Sequence, residues 1–372
     1  MRKILILTNS INGLYSFRRE LIEALQRRDF NVFISAPHDT KTDYFRRENC
    51  TIIDTVVDRR GTSLRNDIRL FFRYKNLIKK VSPDIVLTYT IKPNIYGGFA
   101  CRIFNIPHIA NITGLGTAIE NGGLLQKFLL MLYKSGLKKA ACVFFQNESN
   151  KKYFEKNNIV MTKVVLLPGS GVNLTQHSFE EYPDDSDGVR FLYIGRIMKD
   201  KGINELLEAI VIVKKAYPNV HFDIVGPCEE DYEIKLLEMD SQGLLSYYGE
   251  QESVHGFLKN AHALINPSYH EGMSNVLLEA AATGRPVLAS NIPGCRETFE
   301  EAVSGFGFEA KSAESIKNTI IKFIELPYKR KKNMGLAARG KMEKEFDRTI
   351  VVDAYMQEIG KVMESRVCDG LS

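Results

Sequence analysis

Short runs rich in β-branched and aromatic residues alternate with amphipathic helical stretches along almost the whole chain, and the alternation is interrupted once. Residues 3–8, 31–36, 51–56, 84–89, 108–112, 142–146 and 163–167 read as strands, with helices over 15–28, 64–81, 95–104 and 124–140. That rhythm predicts a parallel sheet covered on both faces. It fails from 168 to 188, where Pro168-Gly169-Ser170-Gly171 and Glu180-Glu181-Tyr182-Pro183-Asp184-Asp185 have turn composition and no period. It then restarts, with strands over 189–194, 220–225, 245–248, 263–266, 286–289 and 307–309. Helices are expected over 203–216, 253–259, 275–283 and 312–325, and a long helical region over 328–366. The expectation is an α/β chain of two doubly wound, Rossmann-like domains facing a cleft, 1–168 and 189–345, joined by a linker over 169–188. In such sheets ligands bind beyond the carboxyl ends of the strands.

Composition narrows the classes. Six cysteines (Cys50, Cys101, Cys142, Cys228, Cys295, Cys368) are scattered without CxxC or metal-ligand spacing, as expected of free thiols in a reducing compartment. After Met1-Arg2-Lys3 only residues 4–8 run before Asn9 and Ser10, too short for a signal peptide. No apolar stretch approaches the roughly 18 residues of a membrane span. The formal net charge is +5, with no basic stripe interleaved with aromatics, which disfavours nucleic acid. A cytoplasmic protein is expected, its membrane association peripheral.

The strongest local signal is His270-Glu271-Gly272-Met273-Ser274-Asn275, which follows a predicted strand and runs into the apolar helix holding Glu279. The unpaired N–H groups and positive end of that helix suit a phosphate or diphosphate. Glu279, about one turn in, is placed to accept hydrogen bonds from ribose hydroxyls, and Glu271 from hydroxyls of a sugar. A zinc HExxH would need histidine at 274, where the chain has Ser274, so no metal is expected. A second signal, Gly195-Arg196 followed by Lys201-Gly202, sits where the first strand of the second half gives way to its helix. Gly195 permits a tight turn, while Arg196 and Lys201 supply fixed cations for the charge that develops on a departing diphosphate. There is no GxxxxGK[ST] loop. A third, weaker element is the polar loop Asn9-Ser10-Ile11-Asn12-Gly13, with Gly13 able to approach a diphosphate from the other domain.

Together these residues resemble glycosyltransferase family 4, the retaining GT-B enzymes. The matches are Gly195-Arg196 with Lys201-Gly202, the Glu271–Glu279 frame, Gly284 before Pro286-Val287, and Pro293-Gly294 with Glu297. The resemblance implies that Arg196 and Lys201 hold the donor diphosphate, Glu279 the ribose and Glu271 the donor sugar. It also implies a terminal helix, 346–366, that returns to the N-terminal domain. Many members carry a histidine after the fifth strand; here Thr113-Gly114 stands in that place, so Thr113 is the donor contact and His108 reads as structural. With no protein nucleophile evident, the implied reaction is front-face attack, a donor phosphate oxygen taking the acceptor's proton. Tyr89-Thr90-Ile91-Lys92-Pro93-Asn94, Asn111-Ile112-Thr113-Gly114-Leu115-Gly116 and Phe145-Gln146-Asn147-Glu148-Ser149 further resemble bacterial capsule, O-antigen and protein-glycan enzymes extending undecaprenyl-diphosphate sugars.

That resemblance implies a UDP-sugar co-substrate, no further cofactor, and a lipid-linked saccharide acceptor at the inner face of the cytoplasmic membrane. Arg18, Arg19, Arg59 and Arg60 are the candidates for the acceptor diphosphate. Residues 64–80 and 124–139 read as basic amphipathic helices, which lie on anionic bilayers. A nucleotide-sugar 2-epimerase and a non-catalytic nucleotide-sugar or glycolipid binding protein are the alternatives. The first turns over donor alone, and the second binds without transfer.

Overall fold

The computed structural model describes residues 2–58, 63–114 and 123–368. The chain forms two compact units, Met1–Ser170 with Thr349–Ser372, and Gly171–Arg348. The first unit runs β1 (Arg2–Leu7), α1 (Ile11–Arg27), β2 (Phe30–Ala36), α2 (Thr42–Arg47), β3 (Thr51–Asp54), α3 (Leu64–Val81), β4 (Ile85–Tyr89), α4 (Gly98–Ile103), β5 (His108–Ile112), α5 (Gly123–Leu137), β6 (Cys142–Phe145), α6 (Glu148–Lys156) and β7 (Val164–Leu166). Its seven strands pair in parallel in the order β3-β2-β1-β4-β5-β6-β7.

The second unit runs β8 (Arg190–Ile194), α7 (Ile203–Ala216), β9 (His221–Val225), α8 (Glu233–Ser241), β10 (Ser246–Tyr247), α9 (His255–Asn260), β11 (Ala263–Asn266), α10 (Asn275–Ala282), β12 (Val287–Ser290), β13 (Gly305–Phe308), α11 (Ala313–Ile324) and α12 (Tyr328–Lys341). Its six parallel strands follow the order β10-β9-β8-β11-β12-β13. The final helix, α13 (Arg348–Cys368), packs its Val351, Tyr355 and Ile359 into the core of the first unit.

The apolar runs of the central strands follow from burial on both faces. In β1, Ile4 and Ile6 join the core built with α1 and α13, while Leu5 and Leu7 join the one built with α3. In β8, Phe191 and Tyr193 face one core and Leu192 the other. Successive side chains of a strand point to opposite faces, so each run feeds two layers.

Three short helices, α2, α6 and α8, were not expected from the pattern. The long helical region expected over 328–366 is broken at Asp347, whose backbone is extended, close to the start of the terminal helix that the family resemblance implied at 346. Val172 takes up the freed groups: its N–H donates to the Phe346 carbonyl at 2.8 Å, and Arg348 N–H donates back to Val172 at 3.0 Å. The stretch 171–188, read as linker, belongs to the second unit and is anchored to it. Tyr182 is buried and its hydroxyl donates to the His262 carbonyl, Lys331 pairs with Asp185 at 3.0 Å, and the buried Arg285 guanidinium donates to the carbonyls of Glu180 and Glu181. Turn composition reports the absence of a period, not the absence of packing.

Strand order reverses direction between β1 and β4 in the first sheet and between β8 and β11 in the second. A crevice opens at the carboxyl ends of strands where the order switches. In the second unit the loops at that point are 195–202 and 267–274.

Candidate active site

Those two loops are tied together by backbone. Tyr269 N–H donates to the Asp200 carbonyl at 3.0 Å. Gly202 adopts φ +72°, and a Cβ there would lie 2.0 Å from the Pro267 carbonyl oxygen. Only glycine combines that left-handed backbone with that approach. Gly202→Ala is therefore expected to lower stability by about 2–3 kcal/mol and to displace Lys201, read as a lower thermal midpoint with weakened donor binding.

The contact brings predicted residues together. Lys201 Nζ lies 2.5 Å from Glu271 Oε1, and the Ser268 hydroxyl donates to the same oxygen at 2.8 Å. The pair is mostly shielded, its side chains 20% and 15% exposed. Asn266, at the end of β11, accepts from Ser268 N–H and donates to the Ser274 hydroxyl, which fixes the loop from both sides.

Gly272 leads into the start of α10. Ser274 N–H donates to the Gly294 carbonyl at 2.8 Å, and Gly294 N–H is held by Glu297 at 2.7 Å. The Ser274 side chain does not cap the helix. The N–H groups of Asn275, Val276 and Leu277 have no partner among the described residues, so the helix start keeps donors for an anion. Met273, counted with the donor contacts, packs its side chain against Val172, Leu278 and Ala281 in a buried cluster. Its side chain serves the core.

Glu279 is partly buried, and among the described residues its carboxylate makes no hydrogen bond or ion pair. Burial pushes its pKa up to about 7, with the charge of Arg348 acting in the opposite direction. Arg196 departs from the expected grouping. It is exposed and held by Glu229, with both carboxylate oxygens on Nη1 at 3.0 and 3.2 Å. Gly195 lies beside Gly226: a Cβ on Gly226 would fall 1.8 Å from the Gly195 carbonyl oxygen. Gly226 N–H in turn donates to Gly249, so three glycines line adjacent strand ends.

In the first unit the candidates separate. Gly13 N–H is occupied by the Ser10 hydroxyl at 3.0 Å, which caps α1. Thr113 is partly buried just past β5. Arg18, expected as a surface cation for an acceptor phosphate, is instead buried: its guanidinium sits over the rings of Tyr89 and Tyr355 and donates to the Phe17 carbonyl. Its spacing along α1 turns it toward the α13 side of the sheet. Arg19 pairs with Glu20 and Glu23, each at 3.8 Å. Arg59 and Arg60 lie outside the described residues. His108 is buried, neither ring nitrogen is paired among the described residues, and burial lowers its pKa to about 4.

Sequence reasoning missed Ser268, Asn266, Gly226 and Glu229. Gly226-Pro227, directly after a predicted strand, is the one signal that pointed there. Among the described residues no group of three or more His, Cys, Asp or Glu is placed to hold a metal ion.

Two parallel sheets, each with a switch point and helices on both faces, form the fold of the GT-B glycosyltransferases. Sucrose-phosphate synthase from Thermosynechococcus elongatus superimposes with a TM-score of 0.80 at 18% identity, covering 98% of this chain and 100% of that one. Residues 3–147 match the Glycosyl transferase 4-like family and residues 175–341 the Glycosyl transferases group 1 family. The chain is thus a glycosyltransferase with a Glycosyl transferase 4-like first half and a group 1 second half. It is 26% identical over 381 residues to the N,N'-diacetylbacillosaminyl-diphospho-undecaprenol alpha-1,3-N-acetylgalactosaminyltransferase of Campylobacter jejuni, covering 98% of this chain and 100% of that protein. To the UDP-Gal:alpha-D-GlcNAc-diphosphoundecaprenol alpha-1,3-galactosyltransferase of Escherichia coli it is 26% identical over 336 residues, 85% of each chain.

Proposed function

We propose that the protein moves a hexose or N-acetylhexosamine from a UDP-sugar to a polyprenyl-diphosphate-linked saccharide in bacterial surface polysaccharide or glycan biosynthesis. The reaction retains the anomeric configuration and needs no metal ion. The observation that carries this reading is the shielded Lys201–Glu271 pair beside the open N–H groups of α10. Lys201 with those donors takes the diphosphate, Arg196 adds charge at its edge, Glu279 takes the ribose and Glu271 the transferred sugar. Fixed donors aimed at a departing diphosphate stabilise its charge without reorganisation. The acceptor class rests on the names of the Campylobacter and Escherichia relatives, and UDP on the latter.

The test is transfer from a panel of UDP-sugars to a lipid-linked diphosphate saccharide in EDTA, with the product anomer read by NMR. An α-linked product from an α-linked donor is expected. Turnover of donor without acceptor would point to a 2-epimerase, and binding without turnover to a binding protein.

A membrane-linked acceptor requires access to a bilayer, and α3 is suited to provide it. No helix among the described residues is long and apolar enough to cross a membrane. The expected single apolar face of α3 divides in two. Leu70, Tyr74, Ile78 and Val81 are buried in the unit, whereas Leu64, Ile68 and Phe72 stand 65%, 49% and 51% exposed at four-residue spacing. Arg65, Arg69 and Arg73 run beside that stripe without an ion pair among the described residues. Apolar side chains flanked by unpaired cations suit an anionic lipid surface. Ile68→Glu with Phe72→Glu is expected to reduce co-sedimentation with vesicles containing anionic phospholipid about tenfold or more, leaving the thermal midpoint unchanged. Undiminished binding would remove α3 from the interface.

A further inference from the structure

The contact between Arg196 and Glu229 is built into the backbone. Beyond β8 and β9 the two loops run side by side as a short ladder. Ile197 N–H donates to the Pro227 carbonyl at 2.8 Å, and Glu229 N–H donates to the Ile197 carbonyl at 3.1 Å. Arg196 is fixed as well, its carbonyl accepting from the Tyr193 hydroxyl at 2.9 Å. The neighbouring Glu230 accepts from Lys199 N–H at 2.8 Å. Glu229 is therefore set opposite Arg196 by main-chain geometry, and its carboxylate takes a single arm of the guanidinium. Nε and Nη2 have no partner among the described residues.

We propose that Glu229 is a fixed counter-charge that selects against free UDP at the donor site and so sets the rate at which this product leaves. The proposal rests on the assignment of Arg196 to the donor diphosphate. An arginine already half-neutralised attracts an added anion less than a free one, and the penalty grows with the charge of that anion. The bound donor carries two negative charges on its diphosphate. Once the sugar has left, the terminal phosphate ionises with a pKa of about 6, so free UDP gains a third charge at neutral pH. The same carboxylate thus disfavours product more than substrate. At 47% and 31% exposure the pair is screened by water, so it weakens the hold on product by a modest factor instead of abolishing binding.

Glu229 acts through Arg196 and is a positioning residue, so the test separates ligand charge from general structural damage. UDP dissociation constants and KM for the preferred UDP-sugar are measured at pH 8 for wild type, Glu229→Gln and Glu229→Asp, with thermal midpoints as a folding control. Glu229→Gln is expected to bind UDP about fivefold more tightly while KM for the UDP-sugar changes less than about twofold. Burst kinetics should show slower product release. Glu229→Asp, which keeps the charge, is expected to restore the wild-type ratio. Equal changes for UDP and UDP-sugar, or weaker UDP binding in Glu229→Gln, overturn the proposal. A wild-type protein that binds neither ligand overturns the donor assignment itself, and this inference with it.

Discussion

Replacing Lys201 by alanine is expected to lower transfer at least tenfold, roughly the loss of one charge-assisted contact to a phosphate. Two effects add. The cation for the leaving diphosphate disappears, and Glu271 is left partly buried with the Ser268 hydroxyl as its remaining hydrogen-bond partner among the described residues. A carboxylate without a counter-charge beside the diphosphate repels it, so the loss should exceed that of removing a surface lysine, whose ion pairs contribute little. Adding Glu271→Gln to Lys201→Ala relieves the stranded charge. That double variant should regain thermal stability relative to Lys201→Ala without regaining transfer. Wild-type-like rates in Lys201→Ala would mean that the donor site has been misplaced.

Glu279→Gln is expected to move stability and function in opposite directions. Burial raises the Glu279 pKa in the folded protein to about 7, whereas an unfolded chain has it near about 4.3. Between those values the folded state binds more protons than the unfolded state, so stability falls as pH rises through this window. The deficit reaches at most about 4 kcal/mol above pH ~7. Glu279→Gln removes it: the variant should be more stable than wild type at pH 8, and the two should converge below pH ~4.5. Ribose hydroxyls, by contrast, donate to the ionised carboxylate, so wild-type donor affinity should rise from pH 5 to pH 8. The variant should lose about tenfold in transfer, with a flatter profile. A partnerless acid tuned upward by burial is how functional sites often appear. Melts at pH 5 and pH 8 check the first half, and UDP-sugar titrations the second.

Strand and helix alternation was legible because strands such as β1 and β8 are apolar on both faces and the helices between them are periodic. The break at Asp347 was not legible in the period, only in the resemblance that began a terminal helix at 346, because it depends on Val172, some 175 residues away in sequence. Short helices such as α8 carry too few turns for a period to register. At the site, the Glu271 turn and Lys201 could be read from residue types and spacing, since a helix start after a strand is a local feature. The environments of Arg196 and Arg18 could not. Glu229 reaches Arg196 from a different strand end, and Arg18 is buried against Tyr89 and against Tyr355 of the last helix. Charge in a sequence announces a cation but not the partner that folding assigns to it. The expected Leu64–Ile78 face of α3 fails for the same reason: periodicity marks apolar positions without saying which of them the core takes.

The donor site is defined by where a nucleotide's phosphates sit. A crystal structure with UDP bound decides it: the diphosphate should contact Lys201 Nζ and the N–H groups at the start of α10, with the ribose hydroxyls on Glu279. UDP held elsewhere, with Lys201 still closed on Glu271 and Glu279 untouched, would contradict it.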